Sequence, residues 1–447
     1  MAIGLDKTNR ISPARLAAYE ILFRVDEGAY SSILLAQKET ELDLRDRALC
    51  HELVMGVLRR QLWLDRLAER FMKRPIEALD AEVRLILRLG LYQLRFLSRV
   101  PPSAVVNESV NLTHHARLRS AGALINAVLR RAVREADMDP AAGIADPVER
   151  LSLTSSHPAW LVHRWIGAFG ISETEAFCHA NNQAAPVAFR VVRQRAEAST
   201  VIANLGESGA VITPSEVTPD AWRLSGNRQI LSDMIRSGEV YVQDEASQMV
   251  VDILQASPGE RVLDLCAAPG SKTTQIADRL AGTGNVIASD VHSHRLRLVV
   301  DSARVQNLVN VQCVLLDGVH SLPFKNEAFD RVLVDAPCSG TGTLRRNPEI
   351  RWRISATDIE DLSARQQQLL GNASRVVRPG GRLVYSTCSV ELEENESVAR
   401  AFLENNINFS LIELSGSRST KMPGTVRTWP QHEGSDGFFV AAFERRQ

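Results

Sequence analysis

The chain has 447 residues, of which 45% are apolar and 23% charged, and its formal net charge at pH 7 is −1. This length and composition predict two or three globular domains, and the near-neutral charge excludes a protein that is basic over its whole surface. Six scattered cysteines without a C-x-x-C pair exclude a disulfide framework and a Cys/His metal site, and the absence of an apolar run near 18 residues excludes a membrane span.

Residues 1–140 are predicted to be all helix. The first helix has Ser12 as its N-cap, Pro13 at its first position and Gly28 as its stop. Apolar residues recur at helical spacing in four further segments, which are residues 43–60, 80–97, 103–117 and 120–135. The connections between these segments are short, which is typical of a compact helical bundle.

An arginine-rich stretch runs from Arg84 to Arg134 within this bundle. It contains nine arginines and one acidic residue, Glu108, so its charge is +8 in a protein that is otherwise near neutral. A solvated helix surface explains this charge as well as an RNA-binding face does. Both interpretations stay open at the level of the sequence.

Residues 141–240 are predicted to hold a linker and a small α+β module. The stretch 136–150 is rich in Ala, Asp and Pro, which is typical of a linker. A helix is expected at 158–170, with short strands at 186–192 and 239–243.

Residues 241–447 show an alternation of strands and helices, which predicts a parallel, doubly wound sheet. A hairpin-like pair of strands at 409–414 and 437–445 is expected to complete the sheet at one edge. The other predicted strands are residues 261–267, 285–290, 311–317, 329–337 and 382–389.

The first of these strands leads into a small-residue loop, in the segment "RVLDLCAAPGSKT". Backbone amides of such a loop can lie against a ligand at the carboxyl edge of the sheet. Asp290 ends the next strand, where it can accept both ribose hydroxyls of an adenosine group, and Asp317 ends the one after, within reach of an adenine amino group. Since G-x-G-x-x-G and Walker motifs are missing, dinucleotide and triphosphate ligands are not favoured.

Two further strands lead to cysteines, Cys338 in "RVLVDAPCSGTG" and Cys388 in "GRLVYSTCSVE". A single cysteine after a strand is more often a small buried hydrophobe, and Cys50, Cys178 and Cys313 are assigned to that class. Two thiols beside a nucleoside-containing cofactor favour methyl transfer to carbon 5 of a pyrimidine. A thiolate that adds at carbon 6 makes carbon 5 nucleophilic enough to accept a methyl group.

The motifs "LDLCAAPGSKT", "VDAPCSGTG" and "YSTCS" resemble those of the Sun/Fmu/Nop type of RNA cytosine-5 methyltransferases, which use S-adenosylmethionine. The resemblance extends to "GEVYVQDEASQ", "RRNPEIRW" and "EGSDGFFVA", and thus from about Leu151 to the C-terminus. The N-terminal helices resemble a NusB-type RNA-binding bundle. This pairing resembles the bacterial enzymes of the family that methylate a cytosine of 16S ribosomal RNA. It implies an all-α NusB-like bundle, a small α+β module and an α/β Rossmann-like class I methyltransferase domain.

The resemblance also implies roles for individual residues. Cys388 is the nucleophile and Cys338 helps to break down the covalent intermediate. The position of Asp335 beside the cysteine strand independently suggests that it hydrogen-bonds the cytosine ring nitrogen or amino group. Asp335 also completes the cofactor site. The implied cofactor-binding residues are Cys266, Ala267, Ala268, Pro269, Gly270, Ser271, Lys272, Asp290, Asp317 and Asp335.

Two other segments are candidates for contact with RNA. Related enzymes often have Arg-Val-Asn in the small module, where this chain has Arg190-Val191-Val192, so the third position offers no polar side chain. Arg345, Arg346 and Trp352 follow the Cys338 loop and are candidates to support a base that has left its stack, although a solvated loop explains them equally well.

The sequence therefore predicts a cytoplasmic, monomeric methyltransferase that uses S-adenosylmethionine to form 5-methylcytosine in 16S rRNA, at an unpaired or hairpin-loop cytosine. It predicts no metal and no membrane partner. The alternatives are a tRNA cytosine-5 methyltransferase and a non-catalytic RNA-binding factor of ribosome assembly. DNA enzymes of this chemistry typically use one Pro-Cys nucleophile, so two motif cysteines argue against DNA, and a binding factor has no need of paired thiols.

Overall fold

The structure is a computed structural model that describes residues 11–38, 41–227, 229–414 and 421–447. The chain divides into two compact units, Met1–Ala184 with Leu344–Arg353, and Ala185–Thr343 with Ile354–Gln447. In the described parts of both units, every helix is too short or too polar to cross a bilayer. These two units are defined by the contacts within each of them and do not test the predicted domain boundaries. The boundaries at residues 140 and 240 therefore stay a prediction.

The first unit is helical, as predicted. Its core is formed by the apolar faces of the first helices, on which buried residues such as Leu22, Leu53 and Ile86 recur at helical spacing. The helices are α1 (Pro13–Asp26), α2 (Ser31–Lys38), α3 (Leu44–Arg59), α4 (Gln61–Met72), α5 (Ala81–Phe96), α6 (Pro102–His115), α7 (Gly122–Arg134), α8 (Pro147–Ser155), α9 (Ala159–Phe169) and α10 (Ile171–Asn181).

A close approach of α3 and α5 depends on one glycine. A Cβ atom at Gly56 would overlap the ring carbon Cζ of Tyr92. The Tyr92 hydroxyl donates a hydrogen bond of 2.5 Å to Glu52, also on α3. The two helices can therefore pack closely only while residue 56 lacks a side chain.

The segment Leu344–Arg353, which includes a short helix at Ile350–Arg353, belongs to this helical unit although it lies far along the chain. Its buried Glu349 accepts hydrogen bonds from the Ser31 backbone nitrogen at 2.8 Å and from the Ser31 hydroxyl at 2.9 Å. Its buried Arg351 donates at 3.0 Å to the Ser156 carbonyl and to Asn182. These contacts tie the segment to α2 and to the ends of α8 and α10.

The segment Leu344–Arg353 contains Arg345, Arg346 and Trp352, the three candidates to support an unstacked RNA base, and its burial tests this hypothesis. Arg345 is 4% exposed, so the alternative that it belongs to a solvated loop is wrong, and its side chain is not at the surface in this structure. The indole nitrogen of the half-buried Trp352 lies 3.5 Å from the Leu58 carbonyl of α3. For Arg346 and Trp352 the role in RNA binding stays a prediction.

The second unit contains two sheets. The small one has strand order β2-β3-β1-β4 and is antiparallel throughout. Its strands are β1 (Val187–Val191), β2 (Ala210–Pro214), β3 (Ala221–Gly226) and β4 (Val240–Val242), with helices α11 (Ala198–Glu207) and α12 (Gln229–Ser237).

The large sheet has strand order β10-β12-β9-β8-β5-β6-β7, and its five strands from β9 to β7 are parallel. The antiparallel pair β10 and β12 lies at one edge, as the sequence predicts, and β11 pairs with β12. The strands are β5 (Arg261–Asp264), β6 (Asn285–Asp290), β7 (Val311–Leu315), β8 (Phe329–Asp335), β9 (Val377–Thr387), β10 (Phe409–Leu411), β11 (Val426–Arg427) and β12 (Phe439–Arg445). The accompanying helices are α13 (Glu245–Leu254), α14 (Ser271–Arg279), α15 (Ser293–Val305), α16 (Ala356–Val376) and α17 (Glu396–Asn405).

A buried arginine joins the two sheets within this unit. Arg190 of β1 is 3% exposed, and its guanidinium donates to Gln243 at 3.1 Å, to Thr274 of α14 at 2.9 Å and to Gln306 at 3.0 Å. Val191 and Val192 beside it are buried as well. The segment Arg190-Val191-Val192 therefore has an internal role, and its third residue is out of reach of RNA in this structure.

Candidate active site

The candidate site lies where the parallel strands β5, β6, β8 and β9 end. Asp335 at the end of β8 stands opposite Ser386 of β9 in the sheet register. Cys338 and Cys388 follow these two positions by three and two residues, so both thiols emerge at the same sheet edge. Ligands of open α/β sheets bind at this edge, because the loops that follow the strands converge there.

A cavity of about 270 Å³ opens at this edge. Its walls include the strand-terminal carboxylates and both motif thiols, so the structure brings together residues that lie up to 122 positions apart in the chain, from Cys266 to Cys388. Seven of the predicted site residues line the cavity, namely Cys266, Ala268, Asp290, Asp317, Asp335, Cys338 and Cys388.

The other predicted site residues lie behind this wall, in the loop and in the first turn of α14. The Ala267 backbone nitrogen donates to the Ser289 carbonyl at 2.8 Å, which fixes the loop to β6. Gly270 precedes α14 with a φ of +109°, and a Cβ atom there would lie 3.0 Å from the Cα of Val299. Glycine is thus required at this turn by both conformation and space. Pro269 and Ser271 flank this glycine and, like it, are outside the cavity wall.

Lys272 reaches the site through Asp335. Its ammonium donates to Asp335 Oδ2 at 2.7 Å, and the Ser386 hydroxyl donates to Oδ1 at 2.7 Å. Burial alone would lower the pKa of Lys272, but the negative charge of Asp335 and their hydrogen bond leave it raised above its ordinary value. Lys272 therefore stays charged and holds Asp335 as an oriented carboxylate.

Asp264 is a functional candidate that the sequence analysis missed. This fully buried residue ends β5, and its Oδ2 accepts a 2.6 Å hydrogen bond from Thr273. Its other oxygen has no hydrogen-bond partner in the described parts of the chain. Burial raises the pKa of Asp264 to about 7. A positively charged ligand near this carboxyl would favour its ionised form. Its position at a strand end, like that of Asp290, was the available signal.

The two motif thiols lie in contact, with 3.4 Å between the Sγ atoms of Cys338 and Cys388. The hydrogen bond with Cys388, followed by burial, raises the pKa of Cys338 well above its ordinary value. The thiol of Cys338 therefore keeps its proton near neutral pH. Burial and the neighbouring carboxylates also raise the pKa of Cys266, so this third cavity thiol is neutral too.

Two arginines in the cavity wall were also missed. Arg295 of α15 donates to the Ala268 carbonyl at 3.0 Å and lies 3.8 Å from Asp290 Oδ2. Arg365 of α16 lies 3.9 Å from Asp317 Oδ1. Neither residue belongs to a strand-end motif, so no local pattern in the sequence distinguishes them from the other arginines.

The fold and the site define a class of protein, a Rossmann-like methyltransferase with a cysteine pair at the carboxyl edge of its sheet. Comparisons with known proteins agree with this class. Residues 251–444 match the description 16S rRNA methyltransferase RsmB/F. Residues 12–134 match the NusB family, and residues 157–231 match the ferredoxin-like domain of RsmF/B-like methyltransferases.

Individual relatives match over nearly the whole chain. A probable ribosomal RNA small subunit methyltransferase B of Bacillus subtilis is 32% identical, over 96% of this chain and 98% of the relative. The ribosomal RNA small subunit methyltransferase B of Pseudomonas putida is 36% identical, over 96% and 97%. The chain belongs to the RsmB/F family of 16S rRNA methyltransferases, in the RsmB group.

Solved structures support the same fold. The crystal structure of the protein PH0851 is 29% identical and superposes with a TM-score of 0.85, over 98% of this chain and 100% of that one. A methyltransferase homolog protein from Pyrococcus horikoshii is 26% identical with a TM-score of 0.60, over 68% and 100%. The predicted order of helical bundle, small α+β module and Rossmann-like domain is therefore confirmed.

Proposed function

We propose that this protein uses S-adenosylmethionine to methylate carbon 5 of a cytosine in 16S rRNA, through a covalent bond between Cys388 and carbon 6. The observation that carries the proposal is the contact between the two thiols beside the Lys272-bound carboxylate of Asp335. A nucleoside-sized cavity lies directly against this group.

The cavity suits S-adenosylmethionine because its wall contains three carboxylates, Asp290, Asp317 and Asp335, which lie at or just after the ends of β6, β7 and β8. Asp290 would bind the ribose hydroxyls and Asp317 the adenine amino group. Asp335 adds negative charge to the cavity wall, and a cation bound there would favour the ionised form of the nearby Asp264, whose pKa burial raises to about 7. When bound, the cofactor supplies a methyl group that is activated by the positive charge on its sulfur.

The protein groups prepare the cytosine to accept this methyl group. The Cys388 thiolate adds to carbon 6, and carbon 5 gains the electron density needed to form the new bond. Asp335 is held by Lys272 and Ser386 as a hydrogen-bond acceptor. It would accept a hydrogen bond from the cytosine amino group or protonated ring nitrogen and stabilise the charge that develops there.

Cys338 would act after methyl transfer. Its raised pKa comes first from its hydrogen bond with Cys388, and this interaction is lost once the Cys388 sulfur is bound to carbon 6. Once Cys338 has given its own proton to solvent, its thiolate can take the proton from carbon 5. The electrons of that C–H bond re-form the double bond between carbons 5 and 6, and the Cys388 sulfur leaves carbon 6 as a thiolate.

The direct test is incubation of the purified protein with S-adenosylmethionine and either 16S rRNA or tRNA, followed by mapping of 5-methylcytosine. One modified cytosine in 16S rRNA is expected, at a position that lacks the mark in cells without the gene. A mark in tRNA alone would support the tRNA alternative. No mark in either RNA, with RNA binding intact, would support a non-catalytic assembly factor.

The cofactor assignment is tested by Asp290→Ala. We expect affinity for S-adenosylmethionine to fall by about 10- to 150-fold, which corresponds to the loss of about 1.5–3 kcal/mol of hydrogen bonding to a charged group. Calorimetric titration of the folded variant measures this change. The control is Asp301→Ala, which removes an exposed aspartate from α15. Equal affinities for both variants and the wild type would remove Asp290 from the site.

A further inference from the structure

A single buried carboxylate links the two cysteine loops. Glu394 is fully buried, and it accepts a hydrogen bond of 2.8 Å from the Ser339 backbone nitrogen. It also accepts hydrogen bonds of 2.5 Å from the Ser339 hydroxyl and 2.5 Å from the Ser389 hydroxyl. Ser339 directly follows Cys338 and Ser389 directly follows Cys388. Each thiol is therefore one residue away from a donor to the same carboxylate.

The surroundings of Glu394 reinforce this link. Gln366 of α16 donates to the Glu394 carboxylate at 3.0 Å and to the Pro337 carbonyl at 2.9 Å, so it binds both the carboxylate and the residue before Cys338. The Ser339 and Ser389 hydroxyls also lie 3.0 Å from each other. Burial raises the pKa of Glu394, whereas its hydroxyl, backbone and amide donors counteract that rise.

The two cysteines depend on this network to different degrees. Cys388 directly follows β9, which is hydrogen-bonded on both sides, to β8 and to β12. Cys338 lies three residues beyond β8, in an irregular loop where the bonds from Ser339 to Glu394 hold the next residue in place. Loss of the carboxylate should therefore displace Cys338 more than Cys388.

We propose that Glu394 is a positioning residue that keeps the Cys338 thiol against Cys388, so that Cys338 can release the methylated base. The inference rests on the proposed function for the release step, whereas the thiol geometry is a property of the protein alone. A displacement of about 1 Å in a reacting group can cost about 100-fold in rate, so the contact of the two sulfurs is sensitive to this network.

The first measurement needs neither RNA nor S-adenosylmethionine. Diamide, an azo compound, takes two hydrogens from a pair of neighbouring thiols and is reduced to the hydrazine while a disulfide forms. We expect the Cys338–Cys388 disulfide to form about tenfold or more slowly in Glu394→Ala than in the wild type. Glu394→Gln, which keeps the side-chain shape and can still accept from Ser339, should be intermediate. Peptide mapping identifies the disulfide.

The matched control is Glu396→Gln. Glu396 is a similarly buried carboxylate two residues further on, but in the described parts of the chain it pairs with Arg427 at 2.8 Å and accepts no hydrogen bond from Ser339 or Ser389. This variant should lose thermal stability and still oxidise at the wild-type rate. Oxidation of folded Glu394→Ala at the wild-type rate would overturn the proposal. If Glu394→Ala does not fold, Glu394→Gln and Ser339→Ala replace it, and wild-type rates in both would overturn the proposal equally.

The second measurement addresses release. With RNA and S-adenosylmethionine present, Glu394→Ala should lower kcat with little change in KM for RNA, and a covalent protein–RNA species should accumulate on denaturing gels. A merely structural role would instead lower the amount of active protein without an adduct, and that result would overturn the positioning role. If the wild type forms no 5-methylcytosine but the oxidation rates differ as expected, the proposed function fails and the control of thiol geometry by Glu394 stands.

Discussion

The Cys388→Ala variant is expected to lose methyl transfer and the covalent RNA adduct together. Without a sulfur that adds to carbon 6, carbon 5 of cytosine stays too weak a nucleophile to accept the methyl group. Affinity for S-adenosylmethionine should change little, because the proposed ribose and adenine contacts come from Asp290 and Asp317. Radiolabel transfer to RNA and denaturing gels of the protein–RNA mixture measure the two losses.

The Cys338→Ala variant should also lose turnover, but unlike Cys388→Ala it should still form the covalent RNA adduct. It keeps the nucleophile but lacks the base for carbon 5, so we expect turnover to fall by about 100- to 10,000-fold, the usual effect of a positioned general base. The covalent adduct should accumulate once S-adenosylmethionine is added. Cys313→Ala is the control, since Cys313 lies on β7 and outside the cavity wall. An adduct in the Cys388 variant and none in the Cys338 variant would reverse the two roles.

Charge reversal on the helical unit is expected to have the second large effect, on RNA affinity. The +8 count of the arginine-rich stretch overstates its exposed charge, because some of its arginines have internal partners. Arg88 is buried and pairs with Asp65 at 2.7 Å. Arg131 donates to Glu135 at 2.8 Å and to the Phe71 carbonyl at 3.0 Å. Four exposed arginines at the end of α6 and along α7 are the better candidates, namely Arg117, Arg119, Arg130 and Arg134.

Reversal of these four arginines to glutamate should weaken RNA binding and flatten its dependence on salt. Each lost phosphate contact lowers the slope of log affinity against log salt concentration by about 0.7–0.9. Affinity for S-adenosylmethionine should stay unchanged, because its proposed site lies in the other compact unit. RNA affinity measured from low to physiological salt gives the slope.

A matched control separates a specific face from a general effect of charge. It carries the same reversal at four exposed arginines of α1, α3 and α4, which are Arg24, Arg45, Arg66 and Arg70. We expect the control to keep a slope close to that of the wild type. Equal slopes for both quadruple variants would mean that the arginine-rich stretch is only a solvated surface, and the bundle would then need another partner.

The sequence by itself determined the helical bundle, the parallel strands and the edge of the sheet at which the site lies, whereas α2, α4, β2 and β3 were not predicted individually. Helical spacing, caps and strand alternation depend on residues that are close in the chain, so they predicted the helical bundle and the parallel strands with bounds close to those observed. Because parallel strands end at one edge, the residues after them, including Asp290, Asp335 and Cys388, could be placed together before their distances were known. The motif resemblance added the family.

Only the tertiary structure decided which groups touch. The 3.4 Å contact between the two thiols, the pairing of Lys272 with Asp335 and the bonds of Glu394 to Ser339 in the Cys338 loop join residues that lie 50 to 63 positions apart. The tertiary structure likewise showed which arginines of the arginine-rich stretch are exposed and which pair with other residues. Such contacts are set by how helices and strands pack, and packing depends on the whole set of buried side chains rather than on any local pattern.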